Sequence, residues 1–202
     1  RGVPIEARTG LTAGAFPRVS GTVSACVSDG AGGWYVGGSF TKVGAILRNY
    51  VAHVLPDGTV DLAWNPNANA GVSALAVSGT TIYVAGGFAT IGGQLRNCIA
   101  ALDATTGLAT IWNPDANNVV NALVVSGTTV FAGGMFTTIG GQPRNRIAAL
   151  DMVTGQATTW NPNANNAINA LAVSDTTVYA AGSFTTVGGQ PRNRIAALDM
   201  VT

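Results

Sequence analysis

A single spacing of 48 residues organises nearly the whole chain. Phe40, Phe88, Phe136 and Phe184 keep it, and so do Arg48, Arg96, Arg144 and Arg192. Each of these arginines is followed by an asparagine: Asn49, Asn97, Asn145 and Asn193. Trp64, Trp112 and Trp160 keep the same step, and Phe16 stands one step before Trp64. The stretch PRNRIAALDMVT at 143–154 recurs unchanged at 191–202. Landmarks of four kinds at one period define four tandem units, and such a period constrains the fold more than any local propensity.

Within a unit the pattern predicts four strands. The first is VNALVVS at 120–126, with equivalents at 72–78 and 168–174. The second is TVFAGG at 129–134, and the fourth is QATTW at 156–160. The third is RIAALD at 146–151, with equivalents at 50–55, 98–103 and 194–199. SGTT or SDTT joins the first two strands and is short enough for a tight hairpin, and VTGQ turns the third into the fourth. Four antiparallel strands in a unit of this length predict one blade of a β-propeller, so the chain is expected to be all-β, with four four-stranded blades. A β-helix rung would be shorter and would lack hairpins. Residues 1–10 are expected to form an N-terminal strand segment in repeat register, and 11–202 to hold the four repeats.

The motifs fit that plan. The apolar first and second strands suit sheets covered on both faces. Paired glycines such as Gly86–Gly87 and Gly133–Gly134 allow close backbone approach or a bulge. The Phe that follows is expected to fill the gap between blades. Trp64, Trp112, Trp160 and Phe16 are expected to be largely buried packing plugs, each of the tryptophans followed by a chain-turning Asn-Pro.

The stretch GGMFTTIGGQPRNRIAALDMVTGQATTWNPNANN resembles the bacterial delta-60 type β-propeller repeat, with its GG-x-F, its GG-x-x-RN-R-I-A-x-L-D core and its W-N-P segment. The resemblance runs from about Leu11 to Thr202 and is weakest in the first unit, where AILRNY stands in place of GQPRNR. It implies a propeller and an extracellular or cell-surface bacterial setting. It implies no chemistry.

Composition excludes several functions. Only 9% of residues are charged and the formal net charge is +1, which gives no electrostatic basis for nucleic acid or an acidic membrane surface. No apolar run reaches the length of a membrane-spanning helix, so no membrane insertion is expected. Cys26 and Cys98 occupy different repeat positions and read as free thiols. His53 has alanine equivalents at 101, 149 and 197, and no carboxylate partner is visible for it in the sequence. Asp103, Asp151 and Asp199 recur one per unit and are expected to bond the adjoining turn. The loops NPNANA, NPDANN and NPNANN carry one acid between them, Asp115, too few for calcium, and read as Asx-turns between blades. GGQLRN and GGQPRN lack both the following helix and the Lys of a phosphate loop. No enzyme activity, metal or cofactor is expected.

A binding face follows from topology. The loops between strands two and three and the crossovers between units emerge on one side, carrying Gln, Arg and Asn in every unit. Arg48, Arg96, Arg144 and Arg192 are its best-matched polar positions: either staples for neighbouring carbonyls or a ring of donors for a ligand. A scaffold for a protein partner is the leading expectation, and a carbohydrate-binding propeller is the alternative. Exposed indoles would favour the latter.

The ends carry a further expectation. The absence of an initial Met reads as a processed or truncated product. VPIEA matches the third strand, and LTAGAF at 11–16 matches the fourth strand that the last unit lacks. Either 11–16 closes a four-bladed ring, or the chain is a slice of a longer array packed against further blades or another chain.

Overall fold

The computed structural model describes residues 8, 9 and 16–200, and they fold as four successive all-β units. Unit one holds β1 (Val19–Ser28), β2 (Trp34–Val43), β3 (Ile46–Leu47) and β4 (Val51–Val54). Unit two holds β5 (Val72–Ser78), β6 (Thr81–Gly86), β7 (Thr90–Ile91), β8 (Gln94–Leu95) and β9 (Ile99–Asp103). Unit three holds β10 (Val120–Ser126), β11 (Thr129–Gly134), β12 (Thr138–Ile139), β13 (Gln142–Pro143) and β14 (Ile147–Asp151). Unit four holds β15 (Ile168–Ser174), β16 (Thr177–Gly182), β17 (Thr186–Val187), β18 (Gln190–Pro191) and β19 (Ile195–Asp199). The expected N-terminal strand at 1–7 and the segment at 11–15 lie outside the described residues.

Each of units two to four is an antiparallel three-stranded meander with a separate two-stranded ribbon. The predicted first and second strands agree with β5, β10, β11 and β15 to the residue. A two-residue turn joins them, with φ of +56° at Gly79 and Gly127 and +51° at Asp175. The second and third strands of unit three pair from Thr129 with Asp151 to Gly133 with Ile147. The glycine pairs do what close approach requires. A Cβ on Gly134 would lie 2.2 Å from the Val119 carbonyl oxygen, beside the register shift between Val120 and Ala122.

The fourth strand is a correction. QATTW makes one isolated bridge, Leu150 to Ala157, and its counterparts are Leu102 to Ala109 and Val54 to Val60. The carbonyls of this segment accept bonds from arginine side chains, so it follows the sheet without forming a ladder. The ribbons are a second departure from the expected plan, because they occupy stretches that read as loop in the sequence. They are built on two-residue Gly-Gly turns, as at Gly140 (φ +60°) and Gly141 (φ +72°). Such turns suit a tight hairpin.

The first strands pack side by side in the order β1, β5, β10, β15. Cores form between units as well as within them: Tyr83, Ala85, Ile99 and Ala101 of unit two share one cluster with Val130, Ala132, Phe136 and Leu150 of unit three. Phe40, Phe88, Phe136 and Phe184 are all buried. Trp64, Trp112 and Trp160 are 0%, 3% and 6% exposed, as expected of packing plugs. Each indole also bridges units: Trp112 meets Tyr83 edge-on at 5.1 Å and donates from Nε1 to the Asp151 carbonyl at 3.0 Å. Phe16 is only half-buried, packed against the unit-one core, so it is less covered than the largely buried plug expected of it.

Candidate functional site

The four matched arginines lie where the ribbon leads into the third strand. Three tie two segments of backbone together. Arg96 donates from Nη1 to the Leu95 carbonyl at 2.7 Å and from Nη2 to the Thr110 carbonyl at 2.6 Å. Arg144 repeats this with Pro143 at 2.7 Å and Thr158 at 2.5 Å. Arg48 reaches Leu47, Asp61 and Leu62 at 2.8, 2.9 and 3.1 Å. A fork with several donors thus ties the outermost segment to the ribbon of its own unit. Nε of Arg48, Arg96 and Arg144 is buried without a hydrogen-bond partner. Arg192 is exposed and donates to the Pro191 carbonyl at 3.0 Å.

The asparagine crossovers do carry the chain from unit to unit, but their main bonds are long-range. Asn69 Oδ1 accepts from the amides of Ala89 and Thr90 in the next unit, at 2.8 and 3.0 Å. Asn117 does the same with Thr137 and Thr138, and Asn165 with Thr185 and Thr186. The Asn after each staple arginine completes the tie: Asn49 to Asn67 at 2.8 Å, Asn97 to Asp115 at 2.7 Å and Asn145 to Asn163 at 2.7 Å. Asn67, Asp115 and Asn163 hold positive φ of 51°, 54° and 53°. Asn and Asp tolerate that left-handed region best. Ribbons and crossovers therefore share one face and are locked together across units. Gln94, Gln142 and Gln190 remain exposed on it. On the opposite side Asp103 and Asp151 cap their own turns as expected: Asp151 Oδ1 accepts from the amides of Val153 and Thr154 and from the Thr154 hydroxyl.

Unit one holds a cluster that the sequence does not announce. His53 is 8% exposed, with Nδ1 3.0 Å from Asp61 Oδ2 and Nε2 3.1 Å from Asp29 Oδ2. The sequence shows it without a carboxylate partner, and the fold supplies two. Asp29 lies in the SDGAGG turn where unit one departs from its siblings, and no local spacing links that turn to the histidine. The imidazole stacks on Tyr35 at 4.3 Å and meets Trp64 edge-on at 6.1 Å. Burial pushes Asp29 up, but bonds from the Ala31 amide, His53 and the Gly33 amide outweigh it and hold the carboxyl below its ordinary value. Burial likewise raises Asp61, and bonds from His53 and the Ala63 and Trp64 amides reverse the sign. Burial first, then the charges of Asp29, Asp61 and Asp103, raise the Tyr35 phenol, which donates to the Ala104 carbonyl at 3.2 Å. Both imidazole nitrogens are engaged, leaving neither for a substrate proton. Among the described residues no group of three or more His, Cys, Asp or Glu side chains could hold a metal ion. Cys26 and Cys98 are free thiols.

A cleft of about 590 Å³ opens beside unit four, lined by residues that include Trp160, Asn163, Gly188, Arg192 and Leu198. In units two and three the equivalent space is filled: an ideal Cβ on Gly92 or Gly140 would meet the amide nitrogen of Ala109 or Ala157 at 2.4 Å, whereas one on Gly188 meets only Leu198 Cδ2 at 3.6 Å.

Comparison with known proteins places this architecture. Residues 32–63 and 174–200, in the first and last units, match the domain of unknown function (DUF5122) beta-propeller. No curated protein sequence matches the chain. Among solved structures it is similar to the computationally designed Ika4 protein, at 14% identity and a TM-score of 0.63, covering 95% of this chain and 99% of that one. The WD40 beta-propeller domain of Doa1 matches at 13% identity and a TM-score of 0.55, covering 79% of this chain and 47% of that one. The RRP9 WD40 repeats match at 11% identity and a TM-score of 0.56, covering 82% of this chain and 46% of that one. The chain thus spans about half the length of these two WD40 structures. At such identities the likeness shows the fold alone: an all-β repeat of the β-propeller, WD40-like type.

Proposed function

We propose that the chain is a non-enzymatic, extracellular or cell-surface propeller scaffold of the delta-60 type that holds a protein partner on its ribbon-and-crossover face. One observation carries the reading: crossover asparagines cap the ribbon amides of units two to four, and arginines tie the ribbon to the outer segment in units one to three, which makes that face a rigid platform of repeated loops. Rigid scaffolds that present repeated loops suit recognition more than turnover. Exposed Gln94, Gln142 and Gln190 supply the recurring polar contacts, and Arg192 adds an exposed guanidinium. Arg48, Arg96 and Arg144 shape the loops that meet the partner. The extracellular setting rests on the repeat resemblance. The carbohydrate-binding alternative loses its main support because the three plug indoles are buried. A photo-crosslinker at Gln142, with a control at Gly127 on the opposite face, tests the proposal in an extract of surface proteins from the source organism. Adducts at 142 and none at 127 are expected. Equal labelling at both positions, or selective binding on a glycan array, would count against it.

A further inference from the structure

Four departures of unit two from its siblings meet in one groove on the ribbon-and-crossover side. Gly87 stands where the other units have Ser39, Met135 and Ser183, and Ala89 where they have Thr41, Thr137 and Thr185. Cys98 replaces Tyr50, Arg146 and Arg194, and Asp115 replaces Asn67 and Asn163. Three of these changes remove side-chain bulk, and the fourth adds an acid. The groove they leave has a volume of about 430 Å³ and runs between units two and three, from Phe88 and Asn97 to Asn117 and Thr138. Every residue lining it lies within 87–138, in the middle of the array. Gly87 is not imposed by the backbone, because a Cβ there would meet only Val119 Cγ2, at 3.7 Å.

Unit three shows what its backbone accepts at the same place. There Arg146 turns its guanidinium onto the chain, donating from Nη1 to the Met135 carbonyl and to the Phe136 carbonyl at 3.3 Å. The equivalent carbonyls belong to Gly87 and Phe88, and Cys98 has no guanidinium to offer them. Local geometry is otherwise shared: φ is +62° at Cys98 and +67° at Arg146, and their amides donate to the Phe88 and Phe136 carbonyls at 2.8 and 2.9 Å. Backbone and bonding match, and the guanidinium alone is missing. Asp115 supplies the charge that a cation would meet. Its Oδ1 accepts from Asn97 at 2.7 Å, and among the described residues nothing donates to its Oδ2. Burial, and then the charge of Asp115, raise the Cys98 thiol, so it stays a small neutral wall of the groove.

We infer that this groove is a receptor for the guanidinium of an arginine side chain carried by the partner protein, which takes the place that Arg146 fills for its own unit. The occupant follows from that internal precedent and from charge. The groove offers the same pair of carbonyls, a carboxylate where the siblings have a neutral amide, and room opened by three smaller side chains. A guanidinium suits it better than an ammonium, because planar donors on three nitrogens can span a carbonyl and a carboxylate together. That the arginine belongs to a protein partner rests on the scaffold reading above, whereas the guanidinium site itself does not.

N-acetyl-arginine amide, titrated into the whole chain and followed by its backbone amide resonances, reads the groove without any partner. Saturable shifts in the millimolar range are expected at Phe88, Cys98, Asp115 and Asn117, with none at their counterparts Phe136, Arg146, Asn163 and Asn165. N-acetyl-lysine amide is expected to bind several-fold more weakly. Two variants borrow residues that sibling units already carry, and an unchanged dichroism spectrum checks that each keeps the fold. Cys98→Arg supplies the guanidinium from within and is expected to abolish the shifts. Asp115→Asn is expected to weaken binding roughly five- to tenfold, the difference between a charged and a neutral acceptor. It should still accept from Asn97, as Asn163 accepts from Asn145. No saturation, equal shifts in both grooves, lysine binding as tightly as arginine, or binding undiminished by Cys98→Arg would each overturn the inference. Photo-crosslinking at Gln142 separates it from the scaffold reading. Adducts there without arginine binding would remove the receptor and leave the scaffold standing, and arginine binding without adducts would do the reverse.

Discussion

Asp61 divides its two carboxylate oxygens between two tasks: Oδ2 meets His53, and Oδ1 accepts the amides of Ala63 and Trp64 at 3.0 and 3.3 Å. It therefore ties the imidazole to the turn that seats the Trp64 plug. Its folded value lies below the ordinary 3.8, so the ionised form is the one the fold favours. The sign follows directly: a depressed carboxylate adds stability that is complete above the unfolded value and is lost as pH falls through about 4 toward the folded one. Asp61→Asn is expected to cost roughly 1.5–3 kcal/mol at pH 7, the range for hydrogen bonds to a charged group. The gap from wild type should narrow below pH 4, and urea unfolding at pH 7 and pH 3 measures both points. A gap that stays constant with pH would mean the carboxylate charge is not what matters. Arg144→Lys tests the staple. An ammonium cannot reproduce the fork that spans Pro143 and Thr158, so a loss of about 1–3 kcal/mol is expected in the same assay. Of these residues, Arg144 is legible from its period alone. The His53 cluster is not, because it is unique to one unit and periodicity reveals only what repeats.

At the scale of elements, hairpins read directly from the sequence and edges do not. Strands β5, β10 and β15 agree with the prediction because their ends are fixed by a turn on one side and an Asn-rich crossover on the other. The fourth strand misleads: QATTW has strand composition, but its carbonyl at Thr158, like that of Thr110 in unit two, goes to an arginine. The ribbons hide in plain sequence, although Thr-Ile-Gly-Gly-Gln-Pro carries the Gly-Gly signature of a two-residue hairpin. That turn gives a paired prediction. Gly140 and Gly141 both hold positive φ, but a Cβ at 140 would strike the Ala157 amide nitrogen at 2.4 Å, and one at 141 meets nothing within 4 Å. Gly141→Ala should cost about 1 kcal/mol, from backbone strain alone. Gly140→Ala should cost clearly more and also shift amide resonances around Ala157. Equal costs would show that the outer segment yields freely. The plug separates packing from hydrogen bonding in the same way. Trp112→Ala should lose roughly 3–5 kcal/mol, as other large core truncations do. Trp112→Phe should lose less, since it keeps an aromatic ring near Tyr83 and forfeits the bond to the Asp151 carbonyl.

Over the whole molecule, stability is set by how many flanks each unit has covered, because in a tandem array a unit contacts only its neighbours. Units two and three are sandwiched, and their third strands show it: Ile99 to Leu102 and Ile147 to Leu150 are buried without a break. In unit four the equivalent strand β19 alternates with exposed Ile195 and Ala197, and β15 exposes Asn169, Ala170 and Ala172. Unit one is uneven. Its β1 is largely exposed, while β4 is buried throughout under unit two. Opening free energies should follow that order, since local unfolding exposes least new apolar surface where a flank is already bare. Native-state hydrogen exchange on dilute protein is expected to show the slowest amides in β6, β9, β11 and β14, with β16 and β19 faster despite the identical sequence of β14 and β19. That last comparison is the decisive one. IAALD occurs in β14 and in β19, with the same pairing register along the second strand, so intrinsic propensity and ladder geometry cancel. Whatever difference in protection remains measures the cover that one unit gives another. Equal protection of the two strands would mean that the array opens as a single cooperative body, and that the bare flank costs it nothing.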